Sequence, residues 1–277
     1  MESPRPAPKF WGLHADPQGN FQRLLNLLPF LMLLGIYLTA SHLRLSENPQ
    51  DKLLPSLGQM WDALTLMAFT PDKRTGEYLM FTDTGSSLLR LGAGVGAAAA
   101  SGLMLGLFTG LFRGLNALIS PFLTFIAIIP PLSILPILFI VFGVDEFAKI
   151  MLIFIGTFPV ITRDIFTATR AFPQELITKG LTLGASDLQV AFKILLPQLL
   201  PRLFENIRLT LGGAWLFLIA AEAIASTSGL GYRIFLVRRY LAMDIIIPYV
   251  LWITCLGFSL DWLLKTLVAR RFKWYQR

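Results

Sequence analysis

The sequence predicts an all-α polytopic membrane protein with about six transmembrane helices. Three observations carry that prediction. Of 277 residues, 55% are hydrophobic and only 15% charged, with a mean hydropathy of +0.63; soluble domains of this size carry about a quarter charged residues. The apolar residues fall in blocks of roughly 18 to 25, the length that crosses a bilayer as helix. Lys and Arg, which give a net charge of +7, sit mostly at the ends of those blocks, where they set membrane orientation rather than grip nucleic acid. A cytosolic enzyme is excluded, and no nucleic-acid partner is expected. Cys255 is the only cysteine, which rules out an internal disulfide and a multi-cysteine site, and no metal is expected.

Taken in order, residues 1–23 form a polar segment with Arg5, Lys9 and Arg23. It lacks the short basic start and small-x-small site of a cleaved signal peptide, so the first span, 24–41, is expected to remain. Residues 42–84 are expected as a periplasmic loop with a short surface helix in LLPSLGQMWDALTLMAF. The membrane core covers 85–268. Its spans are placed at 86–112, at 118–142 with interruptions at Pro130, Pro131 and Pro136, at 147–161, at 204–225 and at 245–268. A long polar stretch, 162–201, separates the fourth span from the fifth, and 269–277 is a basic tail. Six spans put both termini on one side. The amino-terminal segment, the turn at Arg113, the 162–208 stretch and the tail hold most of the basic residues, which assigns that side to the cytoplasm. Trp252, Trp262, Trp274 and Tyr275 lie near span ends, as interfacial aromatics do.

Gly102, Gly106, Gly110 and Gly114 recur every fourth residue, and Gly92 and Gly96 extend the stripe upstream. That spacing lines one helix face and admits a close neighbour, so these glycines are expected to pack helices, including those of two copies across a two-fold axis. The crowding of Gly92, Gly94 and Gly96 is not a dinucleotide loop, which needs a preceding strand. The proline-broken segment is either a kink that serves packing or a bend that lines a pathway, the two settings in which broken backbone survives at membrane depth. Glu222 is the one acid well inside a span, and is either a structural ion partner or a solute contact. Ser226 and Thr227 follow at its outer end, where Gly229 and Gly231 permit a tight turn. Pro130, Pro131, Pro136, Glu222, Ser226 and Thr227 are therefore the pathway candidates.

No catalytic constellation is found. His14 and His42 are the only histidines, and there is no HExxH, GxSxG or GxxxxGK[ST] pattern. The chain is not expected to be an enzyme or to hydrolyse a nucleotide.

Residues 173–201, PQELITKGLTLGASDLQVAFKILLPQLLP, are the informative stretch. Gly184 ends one helical run, and Ala185, Ser186 and Asp187 can cap the next. Leu188, Phe192, Leu195 and Leu196 are expected to form an apolar face. It suits either a groove on a soluble partner or the lipid interface. This stretch resembles the cytoplasmic signature of the permease subunits of type I ABC importers: Glu-Ala-Ala, three residues, Gly, nine residues, Ile-x-Leu-Pro. Gly184 is followed by nine residues and then Ile194, Leu195, Leu196 and Pro197. The Glu-Ala-Ala half is replaced by Thr178, Lys179 and Gly180, with Glu175 one turn earlier.

Segments 184–234 and 129–143 also resemble the nitrate/sulfonate/taurine/bicarbonate permeases, a likeness that covers roughly 50–270. Segment 233–253, RIFLVRRYLAMDIIIPYVLWI, resembles permeases encoded beside urea-carboxylase-type enzymes. The resemblance implies the type I ABC importer permease fold and an inner-membrane location. Its implied partners are a second permease copy, a cytoplasmic ABC ATPase dimer and a periplasmic solute-binding protein. ATP and Mg are then expected on the partner ATPase, with no cofactor on this chain. The solute implied is a small polar or ionic one, either of the nitrate/sulfonate/taurine/bicarbonate type or urea/guanidinium-like. ATP binding would drag the Leu181–Val190 helix with the ATPase. Arg238 and Arg239 are either contacts for the binding protein or an ordinary solvated charge cluster. The alternative class, a secondary active transporter for a small polar solute, would need intramembrane carboxylates on broken helices in two repeated halves. The sequence has one central acid and no internal repeat.

Overall fold

The computed structural model describes residues 19–49, 51–73 and 76–275, which leaves His14 and most of the expected 1–23 segment outside the description. Eleven α-helices follow one another and no strand occurs among the described residues: α1 (Asn20–Glu47), α2 (Leu57–Phe69), α3 (Leu79–Leu111), α4 (Arg113–Ile128), α5 (Leu135–Phe142), α6 (Glu146–Arg170), α7 (Gln174–Thr182), α8 (Asp187–Gln189), α9 (Leu196–Ile224), α10 (Leu230–Arg238) and α11 (Met243–Arg271). Five helical segments are long and apolar enough to cross a membrane, and α4 with α5 makes a sixth, bent by 85°.

The bend falls at Pro130 and Pro131, before a 3-10 turn Pro131–Ile134, and Pro136 lies in the first turn of α5. All three prolines thus occupy helix starts, where a missing N–H costs no bond. Beyond the bend, α5 buries Leu135 and Leu138 against Ala148 and Leu152 of α6 and Ala221 of α9.

Two points refine the sequence expectations. Helices α1, α3, α6 and α9 each run several residues past the apolar blocks, and several of the charges there are paired. Asp164 holds Arg202 at 2.6 and 2.9 Å, so α6 continues to Arg170. Asp83 holds Arg233, so α3 begins at Leu79, inside the expected loop.

The second point is a correction and concerns the glycines. A Cβ on Gly94, Gly102, Gly106 or Gly110 would collide with Ile153, Ile161, Ile165 or Thr169, respectively. The stripe is therefore filled by β-branched side chains of α6, running parallel to α3 in one constant register. It packs helices within the chain, not between copies. Gly114 is not part of it, because the helix breaks at Phe112 and a Cβ on Gly114 meets nothing. Gly92 and Gly96 point to the opposite, open face of α3. Gly94, expected only as part of the crowded Gly92–Gly96 group, belongs to the stripe instead, two turns before Gly102 on the same face.

The core has two halves, called inner at the end of the Gly184 turn and outer at the end of Glu222. The inner half joins Leu103 and Leu107 of α3, Ile161 and Ile165 of α6, and the residues leading into α9. The outer half joins Leu91, Val95, Ile153, Trp215, Leu218, Leu230 and Tyr249. Helix α1 stays apart: it reaches the body through the loop that follows it, with the Tyr37 hydroxyl donating to the Pro55 carbonyl at 2.6 Å and Ser41 to that of Leu54 at 3.0 Å.

Candidate functional site

Two constructions stand at opposite ends of α9. At the inner end, α7 closes with a left-handed residue, Gly184, at φ +85°. The Gly184 N–H bonds the Leu181 carbonyl at 2.9 Å and the Ala185 N–H bonds that of Gly180 at 3.0 Å, which satisfies the last carbonyls of the helix. Ser186 then starts α8 with a reciprocal cap: its hydroxyl accepts from the Gln189 N–H at 3.3 Å, and the Gln189 side chain accepts from the Ser186 N–H at 3.0 Å. The chain widens into a π-helical turn, Val190–Leu195, one turn before Pro197. Pro197 lacks the N–H that would bond the Lys193 carbonyl, and the wider turn accommodates that loss.

Val190, Ala191 and Leu195 are buried in the inner core, and Phe192 meets Phe108 edge-on. Leu181, Leu183 and Leu188 remain exposed at the turn, Leu183 by 88%. The expected face is thus split: Leu188 points out, Leu195 is core and Leu196 is half-buried. Nor is Leu181–Val190 one helix, since the Gly184 turn divides it. Gly180 has a packing reason: a Cβ there would lie 2.9 Å from the Ile194 Cδ1. Glu175, Thr178, Lys179 and Asp187 are all exposed.

At the outer end, Glu222 is fully buried. It accepts from Arg90 Nη1 at 2.6 Å, from the Ser87 hydroxyl at 2.8 and 3.0 Å, and from the Gly231 N–H at 2.8 Å. Arg90 also grips Glu146 and donates to the Ser228 carbonyl at 2.8 Å. Lys149 donates to Glu146 at 2.9 Å and to Ser226 at 3.3 Å. Asp83 accepts from the Gly229 N–H at 2.9 Å and from Arg233 at 2.8 Å. Carboxylates Asp83, Glu146 and Glu222 therefore balance cations Arg90, Lys149 and Arg233 around the 225–231 turn. Gly229 is required there at φ +123°, with the Glu222 carboxylate where a Cβ would sit.

This closes Glu222 off. As a pathway candidate it is corrected: its partners occupy it on every side. Ser226 and Thr227 instead line an open outer crevice of about 600 Å³ with Asp145, Glu146 and Lys149. Pro130 and Pro136 are exposed and Pro131 half-buried at the bend. Arg238 at the end of α10 and Arg239 just after it are exposed, Arg238 over the Phe235 ring at 5.1 Å. The sequence reading missed Asp83, Ser87, Arg90, Glu146 and Lys149. One signal was available: Asp83, Ser87 and Arg90 recur at helical spacing on one face of α3.

The described residues thus form a bundle of membrane-length helices with a closed charge lock at one end and an apolar turn displayed at the other. Residues 102–273 match the family model "Binding-protein-dependent transport system inner membrane component", and the chain belongs to that family. It is similar to the taurine transport system permease protein TauC of Escherichia coli (strain K12), 32% identical over 190 residues, 69% of either chain. It is also similar to the bicarbonate transport system permease protein CmpB of Synechococcus elongatus, 32% identical over 66% of either chain. The chain thus spans about two thirds of the length of these relatives. Its fold matches a chain of the MetNI methionine ABC transporter in an inward facing conformation, with a TM-score of 0.62 at 19% identity, over 72% of this chain and 99% of that one. The chain is the transmembrane component of an ABC importer, in the nitrate/sulfonate/taurine/bicarbonate group; the secondary-transporter alternative is set aside.

Proposed function

We propose that two copies of this permease form the path for a small anionic solute, driven by a cytoplasmic ABC ATPase dimer that grips the Gly184 turn. The observation that carries this reading is the division of labour at 180–195. Exposed Leu181, Leu183 and Leu188 offer an apolar knob, and Val190, Ala191 and Leu195 root it in the core. Such a knob transmits force only if it cannot fray, and the paired caps at Gly184 and Ser186 supply that stiffness.

The termini and 162–201 lie in the cytoplasm on this reading, because basic residues concentrate there. The outer crevice with Ser226 and Thr227, and the Arg238–Arg239 cluster, face the periplasm and the solute-binding protein. ATP and Mg bind the partner, and this chain carries no cofactor. A second copy is supported by two unpartnered surfaces: α1, and the α3 face of Gly85, Gly92, Ala93, Gly96 and Ala97, all exposed. The anionic solute is favoured over a urea- or guanidinium-like one because the similar proteins are named for taurine and bicarbonate, both of which carry an anionic group.

The test is purification from membranes. An ATPase should co-purify, and proteoliposomes of the assembly with its binding protein should accumulate taurine or bicarbonate only with ATP. Uptake driven by an ion gradient without any ATPase would overturn the reading.

A further inference from the structure

Helix α4 buries none of its residues, although it lies beside α6. The gap between them, toward the end that carries the Gly184 turn, is a cleft of about 240 Å³. Asn116, Ser120 and Thr124 line it from α4 at four-residue spacing, which puts all three on one helix face. Thr162, Arg163 and Thr167 face them from α6. Arg163 lies seven residues before the end of α6 at Arg170, about 10 Å inside the helix end.

The polar groups of this cleft differ in what they have left to offer. The four threonines that line it donate to carbonyls one turn back: Thr109 to Leu105 at 2.7 Å, Thr124 to Ser120 at 2.9 Å, Thr162 to Phe158 at 2.7 Å and Thr167 to Arg163 at 2.8 Å. Arg163, Asn116 and Ser120 make no side-chain bond among the described residues. The neighbouring charges are engaged elsewhere, Asp164 with Arg202 and Arg170 over the Phe166 ring at 5.7 Å. No carboxylate lines the cleft. Arg90, Arg202, Arg208 and Arg233 each have an acid. Arg163, exposed where α6 lines the cleft, has none among the described residues.

An unpaired guanidinium set back from the helix end is tolerated where water or a counter-charge reaches it. Its planar fork matches oxyanions, and the amide of Asn116 and hydroxyl of Ser120 add donors from the facing helix. We propose that the α4–α6 cleft is an anion site, in which Arg163, Asn116 and Ser120 hold the sulfonate or carboxylate group of the solute on its way out of the inner half of the path. The proposal deepens the transport reading above and rests on it for the identity of the anion.

The test exploits the single cysteine. In a Cys255→Ser background, Ser120→Cys places a thiol in the cleft of the full assembly in membranes. Relative to the rate of each reagent with a free thiol in solution, its modification by the anionic 2-sulfonatoethyl methanethiosulfonate should be severalfold faster than by the cationic trimethylammonioethyl reagent. Adding Arg163→Gln should remove that preference, Arg163→Lys should keep part of it, and millimolar ethanesulfonate should slow the anionic reaction. Equal normalised rates for the two reagents, a preference that survives Arg163→Gln, indifference to ethanesulfonate, or no reaction at all would each overturn the site. Labelling needs neither ATP nor the binding protein, so its failure is distinct from a failure of ATP-driven uptake.

Discussion

Replacing Glu222 by leucine removes the acceptor on which three hydrogen-bond donors converge. Arg90 Nη1, the Ser87 hydroxyl and the Gly231 N–H would face a methyl group. Breaking a buried ion pair by deleting one partner costs about 3–5 kcal/mol, because the remaining charge stays buried. Glu146 is still bonded to Arg90, which places the cost at the lower end. At roughly 2–4 °C per kcal/mol for chains of this order, the melting temperature should fall by on the order of 10 °C. Glutamine keeps one acceptor oxygen and turns an NH₂ group toward either Arg90 or the Gly231 N–H, donor against donor, which costs about 1–3 kcal/mol. Glu222→Gln should therefore fall between wild type and Glu222→Leu.

Purified complex in detergent, followed by tryptophan fluorescence on heating, reads these differences. A double-mutant cycle sharpens the argument. Arg90→Leu with Glu222→Leu removes both charges of the pair, so the double variant should be markedly more stable than the sum of the single losses predicts, by about 1–3 kcal/mol. Additive losses, or a leucine variant that melts with wild type, would refute the lock. If uptake fell in Glu222→Gln without any loss of stability, the residue would have to meet solute, against its complete burial.

Gly184→Val should insert and assemble but uncouple ATP hydrolysis from uptake, because a β-branched residue resists φ +85° and the turn would open; wild-type uptake by the stably expressed variant contradicts this. Gly106→Ala places a Cβ 2.7 Å from the Thr162 carbonyl oxygen and should cost about 1–3 kcal/mol by overpacking. Gly114→Ala, with open space around it, should be neutral or stabilising by up to about 1 kcal/mol; equal effects in a thermal-shift comparison would deny the glycine ladder. Leu241 is the only non-glycine among the described residues with positive φ, at 54°, and is exposed. Leu241→Gly should raise the melting temperature slightly, by relief of about 1 kcal/mol of left-handed strain; a fall would place a packing role on that side chain.

What was legible in the sequence divides along a physical line. Span existence depends on one-dimensional hydropathy, and the long helices lie where the apolar blocks are. The 173–197 turn was legible because its instructions are local: a glycine for the left-handed residue, a serine with glutamine three positions on, and a proline at the start of α9. Span ends were not, since they depend on whether a charge finds a partner. Arg163 and Asp164 look like the edge of the membrane until Arg202, 38 positions away, is known to hold Asp164. The outer lock was hidden for the same reason. Arg90 and Glu222 are 132 positions apart, and only packing along the glycine ladder brings α3, α6 and α9 together at that end.

That packing carries a consequence for how the molecule moves. The glycine ladder joins α3 to α6 over four contact points, from Gly94 to Gly110. At the outer end Arg90 ties both to α9 through Glu146 and Glu222. Helix α9 itself continues from the rooted turn at 190–195 to Glu222 without a break. If the Gly184 turn couples to an ATPase as proposed, a pull on it would be delivered to one body of three tied helices. The compliant parts are those without such ties: α4, which buries nothing, the proline bend after it, and the turn at Gly143, at φ +77°. Two-state motion in packed proteins runs through such hinges while cores slide by only about 1–2 Å. Hydrogen exchange on the assembly with and without bound ATP tests this. Amides in 113–145 should change their exchange, and those in 91–110 and 149–169 should stay slow in both states. A nucleotide response concentrated in the α3–α6 ladder, with 113–145 silent, would mean that the glycine contacts slide and that the three helices do not move as one.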